Sequence, residues 1–187
     1  MILIVDMNWK KNSLDFYEFV LPIVAAAKTH DACRVKHFLE VTDQDLSRCG
    51  SMILSGTALK DTATLSQLEK FTWLKETEKP VLGICAGMET IGAVFGMRLT
   101  RCLEIGMTQI HKLRENPLFQ GDFRAYSLHS FCVEPNGDFE VWAKSAKCVQ
   151  VIKHKTKPIH GTLFHPEVRN TELIDTFIRL NNAKVNA

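Results

Sequence analysis

The chain has 187 residues, of which 45% are hydrophobic and 24% are charged. This composition is typical of a soluble globular protein, and the length suits a single domain over residues 1–187. The formal net charge is only +2 and the basic residues are scattered, so we expect neither nucleic acid nor an anionic membrane as a partner. No apolar run approaches the roughly 18 residues of a transmembrane helix. The apolar start, residues 1–5, is too short for a signal peptide, which favours a cytoplasmic location.

Six cysteines are spread along the chain, and no two of them form a C-x-x-C pair. They stand at positions 33, 49, 85, 102, 132 and 148. This spacing predicts no zinc site, and the lack of a signal peptide argues against a disulfide framework. We therefore expect no metal and no cofactor, and most of the cysteines are expected to be reduced core residues. Cys85 is the exception, because it stands in a turn that would make its thiol reactive.

The first half of the chain alternates apolar runs with amphipathic helical patterns. Strands are predicted at residues 1–5, 35–41, 51–55 and 81–84. Helices are predicted from Ser13 or Asp15 to Lys28 with a kink or a restart at Pro22, from Asp61 or Thr62 onward, and over residues 86–95. This alternation indicates a parallel sheet covered by helices on both faces. Ligands bind such sheets at the carboxyl ends of the strands, so Asp6, Gly56 and Cys85 are expected on one rim.

The second half of the chain has shorter β patterns. Strands are predicted at residues 99–103, 106–113, 125–133, 140–143, 149–153 and 159–164. The sequence Asn136-Gly137-Asp138 is a hairpin signal, and residues 171–180 have the apolar spacing of a terminal helix. These runs predict a small antiparallel β addition to the parallel sheet.

Residues 80–89 run from an apolar strand through Gly83-Ile84-Cys85-Ala86-Gly87 into a helical pattern. A G-x-C-x-G turn between a strand and a helix is the thiol form of the nucleophile elbow, which lifts the central side chain out of the end of the sheet. The following helix directs its N-terminal N–H groups at the sulfur, which favours the thiolate. From these residues alone, two interpretations stay open: a reactive Cys85, or a tight turn around an inert, buried cysteine.

Residues 161–168 contain a candidate base for this thiol. Pro166 favours extended backbone at His165. Side chains two residues apart on an extended segment point the same way, so Glu167 is placed to orient His165. Cys85, His165 and Glu167 then supply the nucleophile, the base and the orienting carboxylate of a catalytic triad.

Over nearly its whole length, the chain resembles class I glutamine amidotransferases. The resemblance is carried by residues 80–85 with Gly87, and by Gly161 with residues 164–168. Within this family, Glu104-x-Gly106 and residues 116–119 are most similar to the glutaminase subunit of GMP synthase. The resemblance implies an α/β fold with a flavodoxin-like open, mostly parallel sheet covered by helices on both faces.

The resemblance also implies an activity, in which glutamine is hydrolysed through a cysteinyl γ-glutamyl thioester and ammonia passes to a synthase partner. Cys85 would attack the side-chain amide, His165 would transfer the protons, and Glu167 would hold the imidazole. The oxyanion hole would be formed by the backbone N–H groups of Thr57 and Ala86. The substrate-binding positions implied by the family are Gly56, Glu89, His129, Ser130 and Phe131.

Two departures from the family pattern keep other functions open. The family usually has Gly-Gly-Pro where this chain has Gly56-Thr57-Ala58, and it has Gln where this chain has Glu89. A carboxylate lacks the hydrogen-bond donors of an amide, and glutamate at this position is similar to the γ-glutamyl hydrolases. The alternatives are therefore a hydrolase acting on a small γ-glutamyl amide or peptide, and a non-catalytic regulatory or binding homologue.

Overall fold

A computed structural model describes residues 1–185, so the last two residues of the predicted domain, 186–187, lie outside the described part of the chain. The described residues form nine strands that join in one sheet. The strands are β1 (Ile2–Asp6), β2 (Cys33–His37), β3 (Ser51–Leu54), β4 (Val81–Ile84), β5 (Arg98–Lys112), β6 (Phe123–Glu134), β7 (Phe139–Lys144), β8 (Val149–His154) and β9 (Ile159–Thr162). The α-helices are α1 (Leu21–Lys28), α2 (Asp43–Arg48), α3 (Ala86–Val94), α4 (Pro166–Arg169) and α5 (Thr171–Val185).

The sheet is mixed, with the strand order β2-β1-β3-β4-β9-β8-β7-β5-β6. The first five strands of this order pair in parallel. The other four pair antiparallel with their neighbours. This arrangement confirms the predicted α/β fold class, and its antiparallel part is larger than the small addition that the sequence predicts.

Hydrophobic cores lie on both faces of the parallel strands. Ile2 and Ile4 of β1 belong to the core that includes residues of α1 and α5. Leu3 and Val5 belong to the opposite core, which includes residues of α3. All four side chains are fully buried. Successive residues of a strand point to opposite faces, so a strand covered on both sides has an uninterrupted apolar sequence.

The first predicted helix consists of two parts. Phe16–Val20 form a π-helical turn and α1 begins at Leu21, so Pro22 lies in the first turn of α1, where no N–H is needed. The predicted restart at Pro22 is confirmed, but Asp15 makes no capping hydrogen bond through its side chain. The next predicted helix is instead two 3₁₀ segments, Ala63–Ser66 and Leu68–Lys75. Among the described residues, no helix combines the length and the apolar character needed to cross a bilayer.

The antiparallel strands differ from the prediction in two respects. The runs predicted at 99–103 and 106–113 are one strand, β5, whose pairing with β6 shifts at a bulge between Arg101 and Glu104. The hairpin predicted at Asn136-Gly137-Asp138 is wrong, because β6 pairs with β5 whereas β7 pairs with β5 and β8. The turn signal is local, and the choice of partner strand depends on long-range packing.

Two glycines allow α3 to pack directly against the centre of the sheet. A Cβ atom on Gly83 would lie 2.6 Å from the carbonyl carbon of Gly87, and a Cβ atom on Gly87 would lie 2.7 Å from the Leu54 oxygen. A larger residue at either position would require the backbone to move. The start of α3 is therefore held against the carboxyl ends of β3 and β4.

We expect Gly87→Ala to lower the free energy of unfolding by about 1–3 kcal/mol, because the added methyl group would overlap the backbone of β3. Urea unfolding followed by circular dichroism measures this change. Gly121→Ala is the matched control, since a Cβ atom there meets nothing within 4 Å. The control should change stability by less than about 0.5 kcal/mol. Equal stabilities of the two variants would contradict the packing explanation.

Candidate active site

The strand order brings three distant chain positions together at the carboxyl edge of the sheet. β4 lies between β3 and β9, so the turn that carries Cys85 is flanked by Gly56 after β3 and His165 after β9. A Cβ atom on Gly56 would lie 2.4 Å from His165 Cε1 and 3.5 Å from Cys85 Cβ. Cys85 and His165 therefore approach each other beside the space that the missing side chain of Gly56 leaves free.

Cys85 has a backbone conformation that residues other than glycine avoid. Its φ is 48° and its ψ is −104°, and Asn12 is the only other non-glycine residue with a positive φ in the described part of the chain. Two backbone hydrogen bonds hold the turn: Cys85 N–H donates to Thr162 O at 2.8 Å, and Glu89 N–H donates to Cys85 O at 2.9 Å. This strained turn has the geometry of the elbow that the sequence predicts.

His165 and Glu167 form a buried pair. His165 Nδ1 is 2.7 Å from Glu167 Oε1, and both side chains are fully buried. The carboxylate accepts this hydrogen bond, so Nδ1 carries the hydrogen and Nε2 is left as the basic nitrogen. The predicted reason for the pair is wrong, because β9 ends at Thr162 and Glu167 lies in the short helix α4. The first turn of α4, rather than an extended strand, brings the two side chains together.

Two residues that the sequence analysis did not identify as part of the site contact His165, one at its ring and one at its backbone. The rings of Phe19 and His165 have centroids 5.3 Å apart. The backbone N–H of His165 donates to Tyr126 O at 2.8 Å. Phe19 is recognisable in the sequence only as an apolar helical position, and a contact through a backbone carbonyl leaves no side-chain signal.

The thiol of Cys85 and the imidazole of His165 influence each other electrostatically. Burial raises the pKa of the Cys85 thiol, and the nearby His165 only partly offsets this effect. Burial alone would lower the pKa of His165, but Cys85 and Glu167 outweigh it and raise that pKa well above its usual value. The Cys85 Sγ points to the carbonyl oxygen of Leu128 at 3.5 Å. Burial therefore disfavours the thiolate of Cys85, whereas Cys85 and Glu167 together favour the protonated imidazole of His165.

The thiol faces a small cavity of about 10 Å³. The cavity is lined by most of the residues that the sequence analysis assigns to the substrate and the oxyanion hole, namely Thr57, Ala86, Glu89, His129, Ser130 and Phe131. It has room for about one water molecule. Part of its lining comes from the segment 57–62, and the Ser130 hydroxyl donates to Leu59 O of this segment at 3.3 Å. A ligand the size of an amino acid therefore requires the cavity to widen.

Thr57 occupies its position without backbone strain. Its φ is not positive, since Asn12 and Cys85 are the only non-glycine residues of the described chain in that region. The Thr57 hydroxyl donates to Asp61 O at 3.2 Å, which ties the two ends of the segment 57–62 together. The β-branched side chain is therefore compatible with the loop in this conformation.

Glu89 is buried beside the catalytic candidates, with an exposed fraction of 6%. Burial raises its pKa from the ordinary value of 4.5 to about 7, against the opposing charge of His165. Near neutral pH the side chain is therefore partly protonated. A protonated carboxyl group donates one hydrogen bond, so Glu89 can offer a donor as an amide does.

The side chain of His129 is engaged on β6 by other protein groups. Its Nδ1 lies 3.1 Å from Cys102 O and 3.0 Å from Phe131 O, and its Nε2 lies 3.2 Å from Glu104 Oε2. Both ring nitrogens of His129 are therefore occupied by groups of β5 and β6.

Comparisons with known proteins agree with this fold. Residues 14–184 match the model of the family "Glutamine amidotransferase class-I", so the chain belongs to the class I glutamine amidotransferase family. It is 42% identical over 101 residues to a protein of Methanocaldococcus jannaschii that is named as a glutamine-hydrolysing subunit of GMP synthase, a match covering 50% of this chain and 53% of that relative. It is 34% identical over 146 residues to the protein of the same name from Pyrococcus abyssi, covering 73% and 74% of the two chains.

The solved structures give the same result for the fold alone. A crystal structure of a protein from Thermoplasma acidophilum, described as a GMP synthase subunit, superposes with a TM-score of 0.82 at 22% identity, covering 100% of this chain and 96% of that one. The match to the Methanocaldococcus jannaschii relative spans only about half the length of that protein.

The raised pKa of Glu89 predicts a pH-dependent stability. The folded protein binds the proton of Glu89 more tightly than the unfolded chain, so stability falls as the pH rises from 4.5 through about 7. Between about pH 5 and about pH 8 we expect this group to lower the free energy of unfolding by about 2–3 kcal/mol. Glu89→Gln should remove that loss, as measured by urea unfolding at both pH values. The exposed Glu69→Gln is the control and should follow the wild-type curve.

Proposed function

We propose that this protein is a glutaminase of the amidotransferase type, carried by one domain over residues 1–187. It hydrolyses the side-chain amide of glutamine through a cysteinyl γ-glutamyl thioester and supplies ammonia to a synthase partner. The observation that carries the proposal is the meeting of Cys85, on its strained turn, with the buried pair of His165 and Glu167. Acyl transfer requires a nucleophile, a base and a carboxylate that orients the base.

The chemistry follows from the roles of these three side chains. His165 Nε2 accepts the thiol proton as Cys85 Sγ attacks the amide carbon, and a tetrahedral intermediate forms. His165 then gives this proton to the departing nitrogen, which leaves as ammonia while the thioester forms. A water molecule loses a proton to the same imidazole nitrogen and attacks the thioester, releasing glutamate and restoring the thiol. Glu167 keeps Nδ1 protonated and stabilises the imidazolium in each step.

The negative oxygen of the intermediate needs donors close to Cys85. Ala86 is the first residue of α3, and the first N–H groups of a helix have no partner within the helix. The Ala86 N–H is therefore one proposed donor, and the Thr57 N–H, on the opposite wall of the cavity, is the second. Each such donor is worth about 3 kcal/mol in the transition state of related acyl transfers.

The names of the relatives support a synthase as the acceptor of ammonia. The relatives from Methanocaldococcus jannaschii and Pyrococcus abyssi are both named as glutamine-hydrolysing subunits of GMP synthase. By analogy, the partner we propose is a separate polypeptide similar to a GMP synthase. The buried carboxyl of Glu89 favours one alternative, a γ-glutamyl hydrolase that acts on a small γ-glutamyl amide or peptide.

Cys85→Ala should abolish glutamate release, with a loss of at least about 10³-fold, because Cys85 is the one cysteine among the described residues that lines this cavity. Glu167→Gln should lower the rate less, by about 10²-fold, because the base is retained but poorly oriented. A diazoketone analogue of glutamine should label Cys85 alone, as determined by peptide mass spectrometry. Cys49→Ser is the matched control, because Cys49 is similarly buried but does not line the cavity. Label spread over several cysteines would contradict the proposed nucleophile.

Glu89→Gln distinguishes the two candidate substrates. For a glutaminase, the amide restores two donors at every pH, so kcat/KM for glutamine should rise by about 10-fold above pH 7, where Glu89 of the wild-type protein is charged. For a hydrolase of γ-glutamyl peptides, the same variant should lose peptide cleavage. Parallel assays of glutamate release from glutamine and from a γ-glutamyl dipeptide measure both outcomes.

A further inference from the structure

Three of the six cysteines meet beneath the wall of the active site, although they are distant in the sequence. Cys102 lies on β5, Cys132 lies on β6, and Cys148 directly precedes β8. Their sulfur atoms are all within 4.8 Å of one another. Cys132 is buried, and the other two are partly buried. The absence of a C-x-x-C pair therefore does not prevent a cluster of thiols, because the cluster is assembled by strand pairing.

A second group of possible ligands overlaps this cluster at Cys148. Glu104 and His129 are direct partners across the β5–β6 pairing. Their ligand atoms and the sulfur of Cys148 also lie within 4.8 Å of one another. The pairing of β5 with β6 shifts at the bulge between Arg101 and Glu104. Cys102 and Glu104 therefore both lie at this bulge. The fold thus forms two groups of three possible ligands, and the two groups share Cys148.

The hydrogen bonds of His129 indicate which of its nitrogens faces a ligand. Nδ1 is close to the carbonyl oxygens of Cys102 and Phe131, which can only accept, so Nδ1 carries the hydrogen. Nε2 then presents a lone pair to Glu104 Oε2 at 3.2 Å. Either one proton or one bound cation between Nε2 and Oε2 satisfies both of these buried atoms. A histidine that donates its other N–H to a backbone carbonyl is typical of metal ligands.

The distances in this group fit a tetrahedral zinc site. Zinc–nitrogen and zinc–oxygen bonds of about 2.1 Å and zinc–sulfur bonds of about 2.3 Å place neighbouring ligand atoms about 3.3–3.8 Å apart. His129 Nε2 is 3.2 Å from Glu104 Oε2, and Cys148 Sγ is 3.5 Å from the same oxygen. Two edges of the tetrahedron are therefore already formed to within a few tenths of an ångström.

The carboxylate is also oriented by its neighbours. Gln150 Nε2 donates to Glu104 Oε2 at 2.7 Å, and the Ser145 hydroxyl donates to the same atom at 3.1 Å. Such outer contacts fix the ligands of metal sites in place. Thiolates and an imidazole favour zinc over magnesium or calcium, which prefer oxygen ligands.

We propose that Cys148, His129 and Glu104 bind one Zn²⁺, and that Cys102 or Cys132, whose sulfur atoms lie within 4.8 Å of the Cys148 sulfur, turns its side chain towards the ion as the fourth ligand. Each ligating thiol releases its proton to solvent as the metal binds. The ion links β5 and β6 to the start of β8, directly behind residues 129–131 of the cavity wall. Its role is structural, because Cys85, the proposed nucleophile, is not among the residues of this group. The site does not depend on whether glutamine is the substrate.

The test is metal binding by the reduced full-length chain. Protein treated with a chelator is incubated with zinc chloride and a competing colorimetric chelator, desalted, and measured by inductively coupled plasma mass spectrometry. Cobalt is used in parallel, because thiolate ligation gives a charge-transfer band and tetrahedral geometry gives intense visible bands. The variants are Cys148→Ser, the matched control Cys33→Ser on β2, and Cys85→Ser at the proposed nucleophile. Cys102→Ser and Cys132→Ser identify the fourth ligand.

We expect one zinc per chain for the wild type, Cys33→Ser and Cys85→Ser, and at least about 100-fold weaker binding for Cys148→Ser. Saturating zinc should raise the melting temperature of the wild type by about 10 °C but not that of Cys148→Ser. Retention of zinc by Cys148→Ser, or its loss from Cys85→Ser, would overturn the proposal. The proposal would also be overturned if the wild-type chain, with all six thiols reduced, took up no zinc. Formation of a disulfide among these cysteines in place of zinc binding would overturn it as well.

Discussion

The site depends on the backbone conformation that Cys85 is forced to adopt. A positive φ at a residue with a side chain is unfavourable by itself, on the order of 1–3 kcal/mol, and persists only where the surroundings leave no alternative. Here β4 and its pairing with β9 fix the chain before the turn, and the packing of α3 against Leu54 fixes the chain after it. Gly83 and Gly87 make that packing possible. The reactive position of the sulfur is thus a consequence of main-chain packing, and the stability of the sheet maintains it.

The site also requires the antiparallel half of the sheet to contact the segments that follow the parallel strands β4 and β9. β6 is the last strand in the sheet order, yet its backbone contacts both ends of the site. The Tyr126 carbonyl accepts from His165 N–H, and the Leu128 carbonyl lies against the Cys85 thiol. These contacts are possible only because the sheet curls until its last strand covers the carboxyl ends of β4 and β9. The segments that follow the parallel strands therefore supply the proposed reacting groups, and the antiparallel strand β6 supplies backbone groups that contact them.

Local sequence signals predicted the parts of this molecule that have local causes. The G-x-C-x-G turn, the apolar run of β1 and the restart at Pro22 each depend on residues that are neighbours in the chain. The partner of β6 was missed because an Asn-Gly turn does not determine which strands pair beyond it. Phe19 was missed because an apolar helical residue looks the same whether it packs on a core or on an imidazole. His165 and Glu167 were correctly paired for an incorrect reason, since helix α4 and not an extended strand joins them. The proximity of Cys102, Cys132 and Cys148 could not be predicted from their spacing in the sequence, because strand pairing brings them together.

The nearly closed cavity in front of Cys85 has a thermodynamic consequence for substrate affinity. Glutamine, the proposed substrate, does not fit into about 10 Å³, so only molecules in which the cavity has widened can bind it. The apparent dissociation constant is then the intrinsic constant divided by the fraction of open molecules, and an open fraction of about 1% weakens binding about 100-fold. Any molecule that binds the open form more tightly would raise the affinity for glutamine without touching it. The hydrogen bonds of Thr57 and Ser130 stabilise the form with the small cavity. Their strength therefore determines how far another molecule can raise the affinity for glutamine.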